Sequence, residues 1–526
     1  MQVVASAAML ALVGEVSQLA ALTWLADVGM GVGNSIRVAA SRRSRPLAAG
    51  CLAAIGILQA AASVPPLGDD IKFYSDFSDA LLGGQAFANH TPGYVGTAEG
   101  IGLSYAPLPV FPLLLALSFK LVGRTLLGVA LPTVIATAIF PLAFYAACKA
   151  ITGSRVVAYA TAILFFMFPV YQVHVLGAPE PDTVFITLLL FAAALAGKAN
   201  GSPQRRYWIG MGLLLGLLSL TRHEGVAYAA LVLFAFLVAH HSRPNYWLCV
   251  ATLLALVAPF VVFLHSLSGA WWPASVGDSA LSWENVDANL SNLRWASLPW
   301  YSQTVGVGPN ILVGLLAATG LAVGLGTFAM SKRGIALVGI PVAGMSNIAM
   351  LLLMRPLLVY SLFPPDFLRH ASYGIAYAAI SLAYLGHVSI QFVSKRLPRL
   401  RPLILILVLL LTTWTLYYET ERLARPEPFF DGHASLLWTG SYYLLTDVIE
   451  RPVPIWSVDD PRPVSQVHAD LERTLADVNL NRINRSEPYH WVSLGLALFG
   501  LAMVVVSPAR WDVGRKPTVP DGQYRT

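Results

Sequence analysis

The stretch Pro107 to Gly123, PLPVFPLLLALSFKLVG, decides how the rest of the chain is arranged. It is apolar enough to enter a bilayer. It also carries three prolines, has Lys120 near its end, and is short of the ~20 residues that a crossing helix needs. Each crossing swaps the side on which all later loops lie. If this stretch crosses, everything downstream inverts.

The surroundings make the question a membrane question. Of 526 residues, 56% are hydrophobic and 12% charged, where a soluble domain carries roughly 25% charged residues. The mean hydropathy is +0.63. Apolar runs of membrane length recur along the whole sequence. They are continuous, not alternating, which predicts an all-α polytopic membrane protein and excludes a barrel. Cys51, Cys148 and Cys249 all lie in apolar runs, so neither a disulfide framework nor metal-type cysteine spacing is present. The net charge of +6 comes from short loops between spans and is no nucleic-acid signal.

Spans are expected near 46–65, 124–148, 155–175, 182–198, 207–221, 225–240, 246–266, 309–330, 334–354, 370–390, 402–418 and 490–507. If 107–122 does not cross, one side collects Arg42, Arg43, Arg45, Lys149, Arg155, Lys198, Arg205, Arg206, Arg243, Lys332, Arg333, Lys395, Arg396, Arg399, Arg401, Arg510, Arg515 and Lys516. The other side collects nearly every acid outside the termini. If it crosses, the positive-inside rule fails loop after loop. The stretch is therefore read as an interfacial or re-entrant helix on the outer side.

This yields about twelve spans, thirteen if the first 35 residues add one. Those residues are apolar but hold Glu15 and Asp27, and they lack the basic start of a cleavable signal. The expected organisation is an N-terminal segment 1–45 and a first transmembrane module 46–266 containing the outer loop 67–123. A second outer loop 267–308, a further transmembrane module 309–418, an extracytoplasmic segment 419–489, and a last span with tail 490–526 follow.

Ionisable residues gather at the outer level. GDDIKFY, Gly68 to Tyr74, places Asp69 and Asp70 at the mouth of the first span, with Lys72 and Tyr74 behind them. Two like charges there are either a solvated helix end or a site. APEPD, Ala178 to Asp182, adds Glu180 and Asp182. The plain reading of Asp182 is a helix start, with Pro181 opening the helix and an acid suiting its dipole. TRHEG, Thr221 to Gly225, puts Arg222, His223 and Glu224 in a row between two spans; a tight turn explains the glycine but not three ionisable side chains. Arg369 and His370 precede the span at 370–390. A carboxylate can take a proton from a hydroxyl nucleophile. Arginine holds phosphate by a forked, charge-assisted pair. Acids with a phosphate clamp suit a lipid-phosphate substrate, although a proton-coupled transporter would use the same residue types.

The segment GDDIKFYSDFSDALLGGQAF, continued by YAPLPVFPLLLALSFKLVG, resembles the first outer loop of the GT-C superfamily of membrane glycosyltransferases. That superfamily includes the dolichyl-phosphate-mannose protein mannosyltransferases, the bacterial aminoarabinose transferases and the mannosyltransferase of GPI-anchor synthesis. Its acid pair after the first span is matched by Asp69 and Asp70, its aromatic by Tyr74, and its Tyr-x-Pro-Leu by Tyr105 to Leu108. GAPEPDTVFITLLLFAAALAG resembles the second acidic motif, and LSLTRHEG the recurrent arginine turn. FLRHASY resembles more loosely the Arg-Tyr before a late span, with His370 in place of tyrosine. The resemblance covers roughly residues 46–240.

It implies an inverting transfer of a sugar from a polyprenyl-phosphate-linked donor. Asp69 or Asp70 would act as general base on the acceptor hydroxyl. Lys72, Arg222, His223, Glu224, Arg369 and His370 would bind the donor phosphate, and Tyr74 and Tyr105 would line access for its lipid. Glu180 and Asp182 would orient the acceptor or hold a divalent cation, Mg or Mn; no cofactor is committed to. The partners implied are the donor, a glycan, glycolipid or protein acceptor, and membrane lipids, with no nucleic acid. The expected location is a bacterial plasma membrane, multi-pass, with the site facing outward. The alternative is a transporter or flippase of a lipid-linked or anionic substrate, disfavoured because no internal repeat with paired broken helices is visible.

In the segment 419–489, HADLERTLADVNL reads as an amphipathic helix. Its aromatics, among them Trp438, Tyr442, Tyr443 and Trp456, fit a small cap with its own core better than a sugar surface. Trp271 and Trp272 read as an interface belt. Triplets for N-glycosylation at Asn89, Asn289 and Asn484 are short enough to arise by chance.

Overall fold

A computed structural model describes residues 33–62, 71–83, 108–167, 181–268, 271–272, 319–320, 322–323, 332–353, 365–397, 401–424, 444–450, 455, 473 and 482–506. These are almost entirely helical. In chain order the helices are α1 (Gly33–Ala62), α2 (Ile71–Leu82), α3 (Val110–Val122), α4 (Leu126–Thr152), α5 (Arg155–Phe166), α6 (Pro181–Gly201) and α7 (Arg205–Ser219). They continue as α8 (His223–His240), α9 (Pro244–Ser268), α10 (Lys332–Leu353), α11 (Pro365–Arg396), α12 (Arg401–Ala424), α13 (Leu445–Glu450) and α14 (Arg482–Val506).

Among the described residues, six stretches are long and apolar enough to cross a membrane: Leu126–Thr152, Pro181–Gly201, His223–His240, Pro244–Ser266, Tyr373–Val393 and Arg485–Val505. Shorter apolar helices run over Pro46–Ala62, Val110–Val122, Arg155–Phe166 and Gly334–Ile348. The amphipathic helix expected at 468–480, apart from helical Arg473, and the Asn triplets at 89 and 289 fall outside the described residues, whereas the triplet at 484 lies within α14, where Ser486 is buried.

Contacts between helices fix their directions. Thr187 of α6 donates its hydroxyl to Ala136 O of α4 at 3.4 Å, and Gly197 packs against Ala150, so α4 and α6 run parallel. Asn200 at the end of α6 bonds His240 at the end of α8 (2.7 Å), while their first turns meet through Asp182 and Arg222. The helix α8 therefore descends beside α6. The helices α1 and α14 run antiparallel: Gln59 meets Ser493 and His490, and Cys51 lies against Gly500. Gly344 packs on Tyr377 and Gly374 on Ile348, so α10 and α11 are antiparallel too.

These directions place α3. The Val110 N–H donates to Leu220 O (3.1 Å), which ties its start to the turn ahead of Arg222. Its end turns at Gly123, whose φ of +83° suits glycine and whose N–H closes on Phe119 O. Thr125 then caps α4 by accepting from Gly128 N–H. The start of α4 lies level with the start of α6, so both ends of α3 lie at the same end of the bundle. With 13 residues it spans about 20 Å, well short of a bilayer core of about 30 Å. Both features are what the charge pattern expects of a helix that does not cross.

The same end holds Asp79, Asp182, Glu224 and Asp447. Lys149, Arg155, Lys198, Arg205, Arg206, Arg243, Lys332, Lys395 and Arg396 stand at helix ends on the opposite side. The main core, built from Phe140, Phe144, Phe166, Phe185, Trp208, Tyr228, Phe236 and Tyr377, lies between the two.

Candidate functional site

The first turn of α6 carries Asp182 behind Pro181, where a missing N–H costs no helix bond and an acid meets the positive end of the dipole. Its side chain is 3% exposed and its Oδ1 takes Nη1 of Arg222, across 40 residues of sequence. The helix-start reading and the site reading of Asp182 therefore describe one residue.

Arg222 precedes α8 in an extended conformation. Its Nε and Nη2 fork onto Glu224 Oε2 and Oε1 at 3.2 and 2.9 Å. Burial pulls the guanidinium's pKa down, but the Asp182 and Glu224 carboxylates outweigh it and hold Arg222 well above its usual value. One cation between two carboxylates leaves the triad net negative. Arg222 is 12% exposed and Glu224 28%, so Glu224 is the member that faces an arriving ligand. Arg222 gives three of its nitrogens to carboxylates, so any hold on a phosphate would be shared with them.

The turn that presents these residues is held by backbone geometry. Leu220 N–H bonds Gly216 O, and Thr221 N–H bonds Leu218 O. A Cβ on Gly225 would stand 2.1 Å from Leu218 O, so only glycine lets α8 begin this close to α7. That close approach puts Arg222, His223 and Glu224 together at the bundle end.

Three aromatics border the triad. Tyr373 of α11 is buried edge-on to Phe185 at 5.3 Å and lies in the field of Glu224, Arg222 and Asp182. Tyr74 of α2 meets Phe111 edge-on at 5.2 Å and adds to the field at Arg222. Trp272 donates its indole N–H to Nδ1 of His223 at 3.0 Å.

This corrects the reading of Trp272 as an interface-belt residue. It packs with Phe77, Leu108, Leu220, Phe260 and Leu264, which joins α2, the start of α3, the α7–α8 turn and α9. Trp271 is exposed and stacks on His265 at 3.7 Å.

Of the residues expected at the site, Asp182, Arg222, His223, Glu224 and Tyr74 come together. Arg369 and His370 lie in the first turns of α11. Lys72 is the second residue of α2. Asp69, Asp70, Tyr105 and Glu180 lie outside the described residues; α2 opens one residue after Asp70, and α6 one residue after Glu180.

Sequence reading missed the Asp79–Arg124 ion pair, which ties α2 to the link between α3 and α4. The available signal was an arginine standing on the acidic side. Among the described residues no group of three or more His, Cys, Asp or Glu could hold a metal ion, and Asp182 already gives Oδ1 to Arg222.

Residues 106–263 match the family model of dolichyl-phosphate-mannose-protein mannosyltransferases. The matched stretch runs from just before α3 into α9 and contains Asp182 and Arg222 to Glu224. The resemblance read from the sequence is thus met there by a match. No curated protein matches the chain. Among solved structures, the crystal structure of ArnT from Cupriavidus metallidurans bound to undecaprenyl phosphate aligns with a TM-score of 0.44 and 13% identity, over 88% of this chain and 76% of that one. The apo state of the same protein aligns at 0.42 and 13%, over 86% and 74%. The cryo-EM structure of the arabinosyltransferase EmbB from Mycobacterium smegmatis aligns at 0.38 and 14%, over 88% of this chain and 40% of that one.

Proposed function

We propose that the chain is an integral membrane glycosyltransferase of about twelve spans. In this reading it transfers a sugar from a polyprenyl-phosphate-linked donor to an acceptor hydroxyl at the extracytoplasmic face. The observation that carries the proposal is the family match over residues 106–263, which takes in the Asp182–Arg222–Glu224 triad. The basic helix ends opposite this site support an outward-facing site by the positive-inside rule.

The reaction runs as follows. Asp69 or Asp70 takes the proton of the acceptor hydroxyl, and adjacent carboxylates raise one another's proton affinity, which suits one of them to act as a base. The oxygen attacks the anomeric carbon opposite the lipid phosphate. The bond from that carbon to the phosphate oxygen breaks, and polyprenyl phosphate leaves with the electron pair, inverting the configuration. Charge growing on the phosphate is met by Lys72, Arg222 and Arg369, with His223 and His370 beside them. Glu224 fixes the Arg222 fork, and Asp182, with Glu180, orients the acceptor side. Tyr74 and Tyr105 flank entry of the donor lipid next to α3. No step runs through a cation.

Purified protein in nanodiscs, offered a panel of polyprenyl-phosphate sugars, is expected to release polyprenyl phosphate together with a glycosylated acceptor. At least one of Asp69→Asn and Asp70→Asn should remain folded and lose transfer by about 100-fold or more. Full turnover in both variants sinks the base assignment. Movement of intact donor across the membrane without transfer supports a flippase instead.

A further inference from the structure

The structure assigns Trp272 the role of a positioning residue: its indole N–H fixes His223 with the proton on Nε2, so the imidazole offers the lipid-phosphate donor a hydrogen-bond donor. An indole N–H can only donate. At 3.0 Å from Nδ1 of His223 it requires that nitrogen to be unprotonated, and the neutral ring must then carry its proton on Nε2. Trp272 is the described hydrogen-bond partner of His223.

The indole is held firmly enough to impose this. One ring edge meets Phe260 at 6.1 Å, and the cluster around it spans four elements that meet at the site. The imidazole lies edge to the same indole at 6.4 Å. The charged and titratable groups near His223 are Arg222 and Glu224 on its own turn, and Asp182 of α6 behind Arg222. Tyr373 of α11 and Tyr74 of α2 border the same triad. On α9, His265 stacks on Trp271 and not on Trp272.

A phosphate oxygen needs donors. Arg222 gives three nitrogens to carboxylates, so a neutral Nε2–H one residue away adds a donor without adding charge. This role rests on the reading of the site as a lipid-phosphate donor site.

The test uses the full-length protein in nanodiscs, with Trp272→Phe, His223→Gln and the double variant. Phenylalanine keeps the ring in the cluster and removes only the N–H. Trp272→Phe is expected to raise KM for the polyprenyl-phosphate sugar about tenfold with kcat changed far less, as loss of one hydrogen bond to a charged group would. Its pH–rate profile should gain an acid limb at higher pH than the wild type, because Nδ1 is now open to protonation. Glutamine carries a fixed amide N–H donor, so the Trp272→Phe effect on KM should vanish in the His223→Gln background. An equal loss in that background means Trp272 acts by packing and overturns the role.

Thermal unfolding gives an arm that needs no catalysis. The bond exists only while Nδ1 is unprotonated, so the Tm gap between wild type and Trp272→Phe should be open at pH 8 and close towards pH 5. If the gap closes but no polyprenyl-phosphate sugar is turned over, the latch stands and the donor reading falls. If sugar is transferred and the gap ignores pH, the latch falls.

Discussion

Replacing Arg222 removes the cation that stands between two carboxylates, one of them buried. Arg222→Met removes the positive partner of buried Asp182 and is expected to destabilise the protein by about 3–5 kcal/mol, the usual cost of uncoupling a buried pair. Adding Asp182→Asn and Glu224→Gln should recover most of that, since the isolated charges go with their partner. Unfolding in a single detergent compares the wild type, the single variant and the triple variant; equal stability of Arg222→Met and wild type would show that the triad holds nothing together. Arg222→Lys keeps the charge but cannot span both carboxylates, so it should stay folded yet lose donor affinity by tenfold or more. The two residues at the heart of this triad were legible in the sequence because ionisable groups stand out in apolar runs. Their pairing across 40 residues was not, because it depends on α6 and α8 starting side by side. Tyr373 and Trp272 were hidden for the opposite reason: an aromatic in an apolar context looks like core or belt whatever it touches.

At the scale of elements, α3 is the one whose placement fixes the others. Phe111, Leu115 and Phe119 are buried against α2 and α4, while Leu113, Leu117 and Leu121 are exposed along one stripe. A helix with both ends at one face and a bare leucine stripe belongs at the bilayer boundary with the stripe towards lipid. Single cysteines at 109, 122 and 180 are expected to label from one and the same side of sealed vesicles. Labelling of 109 and 122 from opposite sides would mean that α3 crosses and that the helix order is inverted after it. Behind α3, Arg124 pairs with Asp79, lies over the Phe119 ring at 5.6 Å, and accepts the Ile455 N–H on its carbonyl at 3.2 Å. Asp79→Asn should therefore loosen α2, and with it the approach to Asp69 and Asp70, lowering kcat more than donor KM. The element itself was readable from loop charges, since the positive-inside rule sums many residues. Its capture of Ile455, 331 positions later, leaves no local trace in either stretch.

Across the whole molecule, the first and last described helices close the bundle on each other through a polar lock set in apolar surroundings. Gln59 of α1 donates to Ser493 Oγ at 2.8 Å and meets His490 Nδ1 with its carbonyl at 2.9 Å, and all three side chains are buried. Because Gln59 Oε1 can only accept, His490 carries its proton on Nδ1. Gln59 stands ten residues before Asp69 in the sequence, near the end of α1. Removing one member strands the others: Gln59→Leu should cost about 1–3 kcal/mol for each group left unsatisfied. The triple change Gln59→Leu, His490→Leu and Ser493→Ala should be milder than Gln59→Leu alone, because the three polar side chains of the lock then leave together. If the lock serves only stability, sugar transfer in the triple variant should match the wild type below its unfolding temperature. If it also sets the register of α1 against α14, transfer should fall although the fold is restored. Comparing stability and turnover in the same two variants separates these outcomes, and a Gln59→Leu variant as stable as the wild type would show that the lock contributes to neither.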